Sequence, residues 1–177
     1  MKIAVYCGSS SGDREEYAEG ARKLGKMIAQ KGHSLVYGGA SKGLMGVIAD
    51  AVLENGGKVT GVLPNIPLIQ ERRHKGLTEY VEADDITERK NIMLALADAY
   101  VALPGGAGTL DEVSDIMCLA SLGLNKKPCV FYNILGYYEP LREMLEKMTA
   151  SGFMTAKSRE SLFFSDDIEE IAKIIKA

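Results

Sequence analysis

"DAYVALPGGAGTLDEVSDIMCLASLG" (residues 98–123) decides the fold. An apolar run reaches Pro104, and a turn of small residues follows: Gly105, Gly106, Ala107, Gly108 and Thr109. The next stretch, from Thr109 to Gly123, keeps helical spacing and opens with the carboxylates of Asp111 and Glu112. This is a strand, a glycine turn and a helix. The same unit occurs at "KIAVYCGSS" (2–10), whose following helix Asp13 would cap. It occurs again at "SLVYGGASKGLMG" (34–46), leading into a helix through "LMGVIADAVLENGG" (44–57). "KVTGVLP" (58–64) and "KPCVFYN" (127–133) read as further strands, and "TEYVEA" (78–83) as a short one. "DDITERKNIMLALA" (84–97), "YYEPLREMLEKMTASG" (137–152) and "SDDIEEIAKIIKA" (165–177) read as helices, and "NIPLIQERRHKGLTEY" (65–80) as a loop. Strands alternate with helices and are apolar on both faces, which specifies a parallel sheet covered on each side. The expected architecture is α/β: a single doubly wound, Rossmann-like domain over 1–177, with a mostly parallel sheet and helices on both faces.

Bulk composition fits that reading. The chain has 177 residues, 46% hydrophobic and 25% charged, enough for one domain with its own core. A net charge of −3 argues against broad, charge-driven nucleic-acid binding. Three scattered cysteines and two histidines, with no CxxC pair, give no disulfide framework and no zinc site. The N-terminus is too short and strand-like for a signal peptide, and no run reaches the roughly 18 apolar residues of a membrane span. A reduced, cytoplasmic chain that needs no membrane is expected.

Ligands of doubly wound sheets sit beyond the carboxyl ends of the strands. Three turns there are rich in small residues: 7–12, 37–46 and 104–109. Each runs into a helix N-terminus, where unpaired N–H groups and the helix dipole favour an anion such as phosphate. One such turn could be no more than a tight connection; three on one edge favour a nucleotide or sugar phosphate. The first turn lacks G-x-G-x-x-G, and no lysine-serine pair follows a glycine loop, so neither a dinucleotide fingerprint nor ATP hydrolysis is indicated. Thr109 and Glu112 have the spacing of a capping box, which would make Glu112 a helix cap. Arg89 and Lys90 lie in the helix before the quoted strand and could bind phosphate or sugar. The plain alternative for them is a solvated surface pair.

"ERKNIMLALADAYVALPGGAGTLDE" (88–112) resembles the Lonely Guy (LOG) family of nucleoside 5′-monophosphate phosphoribohydrolases, proteins often labelled lysine decarboxylases. Arg89-Lys90 followed by a PGGxGTxxE motif ending at Glu112 is that family's paired signature. "YGGASKGLMG" and "CGSS" are similar to its earlier turns. The resemblance implies Arg89 and Glu112 as the catalytic pair. It implies substrate contacts from Glu71, Lys90, Gly105, Gly106, Ala107, Gly108, Thr109, Ser9 and Gly39. It also implies a homodimer with a shared active site, and no cofactor or metal. The expected reaction releases free base and ribose 5-phosphate from a nucleoside monophosphate such as AMP or an N6-prenylated adenosine monophosphate, the step that activates cytokinins. Glu112 would stabilise positive charge on the sugar and orient the attacking water. Ala107, Cys118 and Leu119 depart from residues common in the family, and these departures bear on base preference. Two rivals stand beside this reading. One is a non-catalytic nucleotide or molybdenum-cofactor carrier of similar fold. The other is a pyridoxal-phosphate decarboxylase, for which no suitable lysine environment is visible. Cys118, Met93, Met117, Met144 and Met148 are expected in helix cores, and His33 as a satisfied polar residue.

Overall fold

Side chains alternate along the central strands, and both sets are buried. On the first strand Ile3, Val5 and Cys7 enter one apolar layer, while Ala4 and Tyr6 enter the other. On the fifth, Val101 and Leu103 face the first layer and Tyr100 and Ala102 the second. A strand buried on both faces has no polar alternation to show, which is why these segments read as continuous apolar runs.

The computed structural model describes residues 1–176; Ala177, the last residue of the predicted C-terminal helix, lies outside them. The elements are β1 (Lys2–Tyr6), α1 (Glu15–Gln30), β2 (Ser34–Tyr37), α2 (Gly43–Glu54), β3 (Lys58–Pro64), α3 (Pro67–Gln70) and β4 (Glu79–Ala83). There follow α4 (Ile86–Leu96), β5 (Ala99–Ala102), α5 (Ala107–Ser121), β6 (Cys129–Tyr132), a 3-10 turn (Ile134–Gly136), α6 (Glu139–Ala150), α7 (Ala156–Arg159), β7 (Leu162–Ser165) and α8 (Ile168–Ile174). The seven strands form one sheet in the order β4-β3-β2-β1-β5-β6-β7. Every pairing is parallel. α1, α2 and α8 supply the layer on one face, and α4, α5 and α6 the layer on the other.

Strand order reverses at β1, which pairs with β2 on one side and β5 on the other. The loops leaving β1 and β5 therefore flank a topological switch point, where a doubly wound sheet opens a crevice. They are tied together there, since the Gly8 N–H donates to the Pro104 carbonyl at 3.1 Å.

The structure departs from the sequence reading in places. β7 was not anticipated. It is a four-residue edge strand with half-buried Phe163 and Phe164, and it gains its ladder only from β6. A single helical turn, α3, interrupts the predicted loop, with Pro67 at its start. Asp13 does not cap α1: that helix begins at Glu15, with Arg14 at the cap position and no side-chain bond to the backbone. α4, by contrast, is capped at both levels. Asp85 Oδ1 accepts from the Glu88 N–H at 2.8 Å, and Glu88 Oε2 accepts from the Asp84 N–H at 2.5 Å. Met93 is fully buried and Met117 and Met148 pack at the core edge, but Met144 is 50% exposed. Cys118 is exposed on α5, because it lies on the side of the helix turned from the sheet. His33 Nε2 is buried without a hydrogen-bond partner among the described residues.

The two aspartates separate in a stability measurement. Asp85→Ala is expected to lower unfolding free energy by about 1 kcal/mol in urea titrations, the usual value of an N-cap. Asp13→Ala should stay within about 0.5 kcal/mol of the parent.

Candidate active site

α5 begins one turn earlier than its sequence suggests. Gly106 is its cap residue and Ala107 its first helical residue. The predicted capping box therefore does not form. Thr109 lies inside the first turn, 5% exposed, and its hydroxyl packs against Gly105, where a Cβ would overlap it. The first turn holds no acidic residue. The N–H groups of Gly106, Ala107, Gly108 and Thr109 find no acceptor among the described residues, and Leu110 is the first to bond back, to the Gly106 carbonyl at 3.1 Å. These are the unpaired donors a helix N-terminus offers to an anion.

Asp111 and Glu112 come in the second turn and face α4. Arg89 Nη1 donates to Glu112 Oε1 at 2.7 Å, with the side chains 14% and 10% exposed. Arg89 Nε donates to the Val62 carbonyl at the end of β3, 3.1 Å away. The guanidinium is thus fixed between strand and helix. It lies against Gly38, where any side chain would overlap Nη2. Lys90 points to Asp111, at 3.0 and 3.1 Å, and to Asp115 at 2.8 Å. Hydrogen bonds to Asp115 and Asp111 hold its ammonium pKa above the ordinary lysine value.

These groups line a cavity of about 360 Å³ over the β1–β5 crevice. Ser9, Arg89, Lys90, Gly106, Ala107, Gly108, Thr109 and Glu112 all reach it. Gly105 does not. It lies on the far side of its loop, beside a second cleft walled by Tyr17 and Tyr137. Gly39 also stays outside and backs onto Leu63; its neighbour Gly38 is the residue on the cavity wall. Glu71 does not join the site. It is exposed at the end of α3, in a basic loop that runs along the second glycine turn. There the Gly39 carbonyl accepts from the His74 N–H at 2.8 Å, and His74 Nε2 meets Asp50 Oδ1 at 2.9 Å. Tyr6, Cys7, Met45 and Ile86 line the cavity but carry no signal that separates them in sequence from core residues. Burial, and then the nearby Glu112 carboxylate, push both the Tyr6 hydroxyl and the Cys7 thiol upward, so neither ionises readily.

Glu112 is displaced in the same direction. Desolvation raises its pKa above the ordinary carboxyl value of 4.5, and the attraction and hydrogen bond of Arg89 oppose this without cancelling it.

A seven-stranded parallel, doubly wound sheet with helices on both faces, and a helix end of unpaired N–H groups beside a half-buried carboxylate at its switch point, defines a Rossmann-like protein. A family model described as "possible lysine decarboxylase" matches residues 45–175. The cytokinin riboside 5′-monophosphate phosphoribohydrolase of Rhodococcoides fascians is 40% identical over 176 residues, covering 99% of this chain and 89% of that protein. The Arabidopsis thaliana protein of the same name, LOG7, is 37% identical over 172 residues, covering 97% and 79%. The chain belongs to this Lonely Guy (LOG) family. Among solved structures, the molybdenum cofactor carrier protein of Chlamydomonas reinhardtii superposes with a TM-score of 0.76 over 99% of this chain and 98% of that one. At 23% identity it shows the shared fold alone.

The carboxylate displacement is open to direct observation. In a difference infrared titration of the parent against Glu112→Gln, the protonated carboxyl band of Glu112 is expected to persist above pH 4.5. Because desolvation favours the neutral form, a midpoint at or below that value would contradict the burial read here.

Proposed function

We propose that the chain hydrolyses the N-glycosidic bond of nucleoside 5′-monophosphates, AMP or an N6-prenylated relative, to free base and ribose 5-phosphate. The observation that carries this reading is the Arg89–Glu112 pair set at 2.7 Å beside a helix end with unpaired N–H groups. The 5′-phosphate takes those N–H groups. The ribose then lies toward Glu112, one helical turn further on. As the bond to the base lengthens, positive charge grows on C1′ and the ring oxygen. The Glu112 carboxylate stabilises that charge and orients the water that attacks C1′, accepting its proton, while the base leaves with the bond's electron pair and takes up a proton from solvent. Arg89 aims the carboxylate and favours its ionised form. Lys90, held by two aspartates, contributes position more than free positive charge.

A decarboxylase working through a lysine Schiff base fits poorly. Such a lysine must lose its proton readily, and the lysine on this cavity wall is driven the other way by Asp111 and Asp115. The homodimer belongs to the same proposal. Leu110, next to the site on α5, is 50% exposed, and a shallow apolar groove between α5 and α6 continues from it past Met117 and Cys118. A second copy seated there would bring its own residues to the open side of the cavity. The cytoplasm is the compartment proposed; among the described residues no helix is long and apolar enough to cross a membrane.

The decisive assay scores free base from a panel of nucleoside monophosphates. Glu112→Gln and Arg89→Ala are each expected to lower kcat/KM by about 100-fold or more, the usual range for loss of an acid-base group. Asp111→Asn should change it little, because Asp115 still holds Lys90. EDTA should leave activity intact. Full turnover by purified Glu112→Gln would refute the mechanism.

A further inference from the structure

The peptide joining Gly105 to Gly106 has a glycine on each side, so no side chain fixes which way it faces. For glycine the turned-over peptide is as accessible as the observed one. One hydrogen bond makes the choice. Tyr137 Oη donates to the Gly105 carbonyl at 2.5 Å. In a trans planar peptide, the carbonyl oxygen and the following N–H point to opposite sides. Gly106 lies between the second cleft and the cavity and lines both; holding the Gly105 oxygen at Tyr137, on the second-cleft side, turns the Gly106 N–H the other way, to the side where Ala107 and Gly108 line the cavity.

The neighbouring carbonyls are occupied as well. Tyr138 Oη donates to the Leu103 carbonyl at 2.7 Å, and the Gly8 N–H takes the Pro104 carbonyl. Each carbonyl of the strand exit from 103 to 105 thus has its own donor and is held by it. Tyr137 is in turn held in place. Its ring meets Tyr17 and Tyr138 edge-on, with centroids 5.8 and 5.1 Å away. The chain reaches it through Leu135 and Gly136, both at positive φ (53° and 73°). The next residue is pinned from behind, because Asn133 Oδ1 accepts from the Tyr138 N–H at 2.7 Å. None of these three tyrosines lines the cavity, and Tyr137 and Tyr138 act on it through the loop carbonyls they hold.

We propose that Tyr137 is a positioning residue for phosphate recognition: its hydroxyl locks the Gly105–Gly106 peptide so that the substrate's 5′-phosphate meets an N–H and not a carbonyl oxygen. This rests on the phosphate reading of the helix end given above. Tyr137→Phe removes the hydroxyl and keeps the ring, which is 41% exposed, so the fold has no reason to fail. With the lock gone, the peptide samples the turned-over state, and binding of any ligand that carries the phosphate weakens. The loss of one charge-assisted bond corresponds to about 10- to 100-fold.

The test measures kcat and KM for AMP, and competitive inhibition by ribose 5-phosphate and by adenosine, in the parent, Tyr137→Phe and Tyr17→Leu. In Tyr137→Phe, KM for AMP and Ki for ribose 5-phosphate should both rise by about 10- to 100-fold, with kcat and the adenosine Ki nearly unchanged. Tyr17→Leu removes one edge contact of the Tyr137 ring but leaves the hydroxyl, so its ribose 5-phosphate Ki should rise less than that of Tyr137→Phe. An unchanged ribose 5-phosphate Ki in Tyr137→Phe overturns the proposal. So does an equal loss for adenosine, which would mark a general structural role. A parent that binds neither AMP nor ribose 5-phosphate would instead refute the phosphate reading of the helix end.

Discussion

The ion pair between Arg89 and Glu112 is the contact on which the rest of the site depends. It joins the helix before β5 to the helix after it, and Arg89 carries the tie on to β3 through the Val62 carbonyl. Taking two charges out of water is costly, and removing one partner leaves the other uncompensated. Here the balance stops short of full pairing. Burial raises the Glu112 pKa more than Arg89 lowers it. The ground state therefore holds a carboxylate that is short of positive charge. In the proposed reaction an oxocarbenium-like sugar would supply that charge, and only as the glycosidic bond breaks. An interaction that strengthens on the way to the transition state lowers the barrier, whereas one already complete in the bound substrate does not.

The same geometry explains how an anion site tolerates carboxylates beside it. Had Thr109 been the cap, Glu112 would sit in the first turn and compete with phosphate for the N–H groups. With Gly106 as the cap, the first turn is free of acid. Asp111 and Glu112 start one turn later and are each engaged by a cation from α4. The unpaired N–H groups and the negative side chains thus occupy successive turns of one helix, with Arg89 and Lys90 reaching the carboxylates from α4.

Much of this was legible in the residues. Strands buried on both faces announce themselves as short apolar runs, and the glycine turns mark where each hands over to a helix. β7 was not legible, because "LFFS" is four residues long and owes its extended state to β6. Helix starts were the other weak point. Asp13 and Thr109 are favourable cap residues, yet Arg14 and Gly106 take those positions. In a stretch such as Gly105–Gly108, local preferences barely distinguish one starting residue from the next. Contacts from distant residues decide, among them the Gly8 N–H and the Tyr137 hydroxyl. Cys118 and Met144 show the same limit: helical spacing placed them, but only the packed layers reveal which side of α5 and α6 meets the sheet.

Three helices point their N-termini toward the glycine-rich edge, and electrostatics separates them. α1 opens with Glu15 and Glu16, which repel an anion. α2 has no acid in its first turn, but its Leu44 N–H already donates to the Ser10 carbonyl at 3.3 Å. α5 has an acid-free first turn and an unbroken run of N–H groups, from Gly106 to Thr109, that find no acceptor among the described residues, where the run on α2 is interrupted at Leu44. A dinucleotide fold places its phosphates on the helix after β1. In this chain the unbroken run of unpaired N–H groups lies one strand across the switch point, on the helix after β5. In the proposed reaction that would put the phosphate on the same helix as Glu112, so that one rigid element sets the distance between the group that anchors the substrate and the group that acts on it.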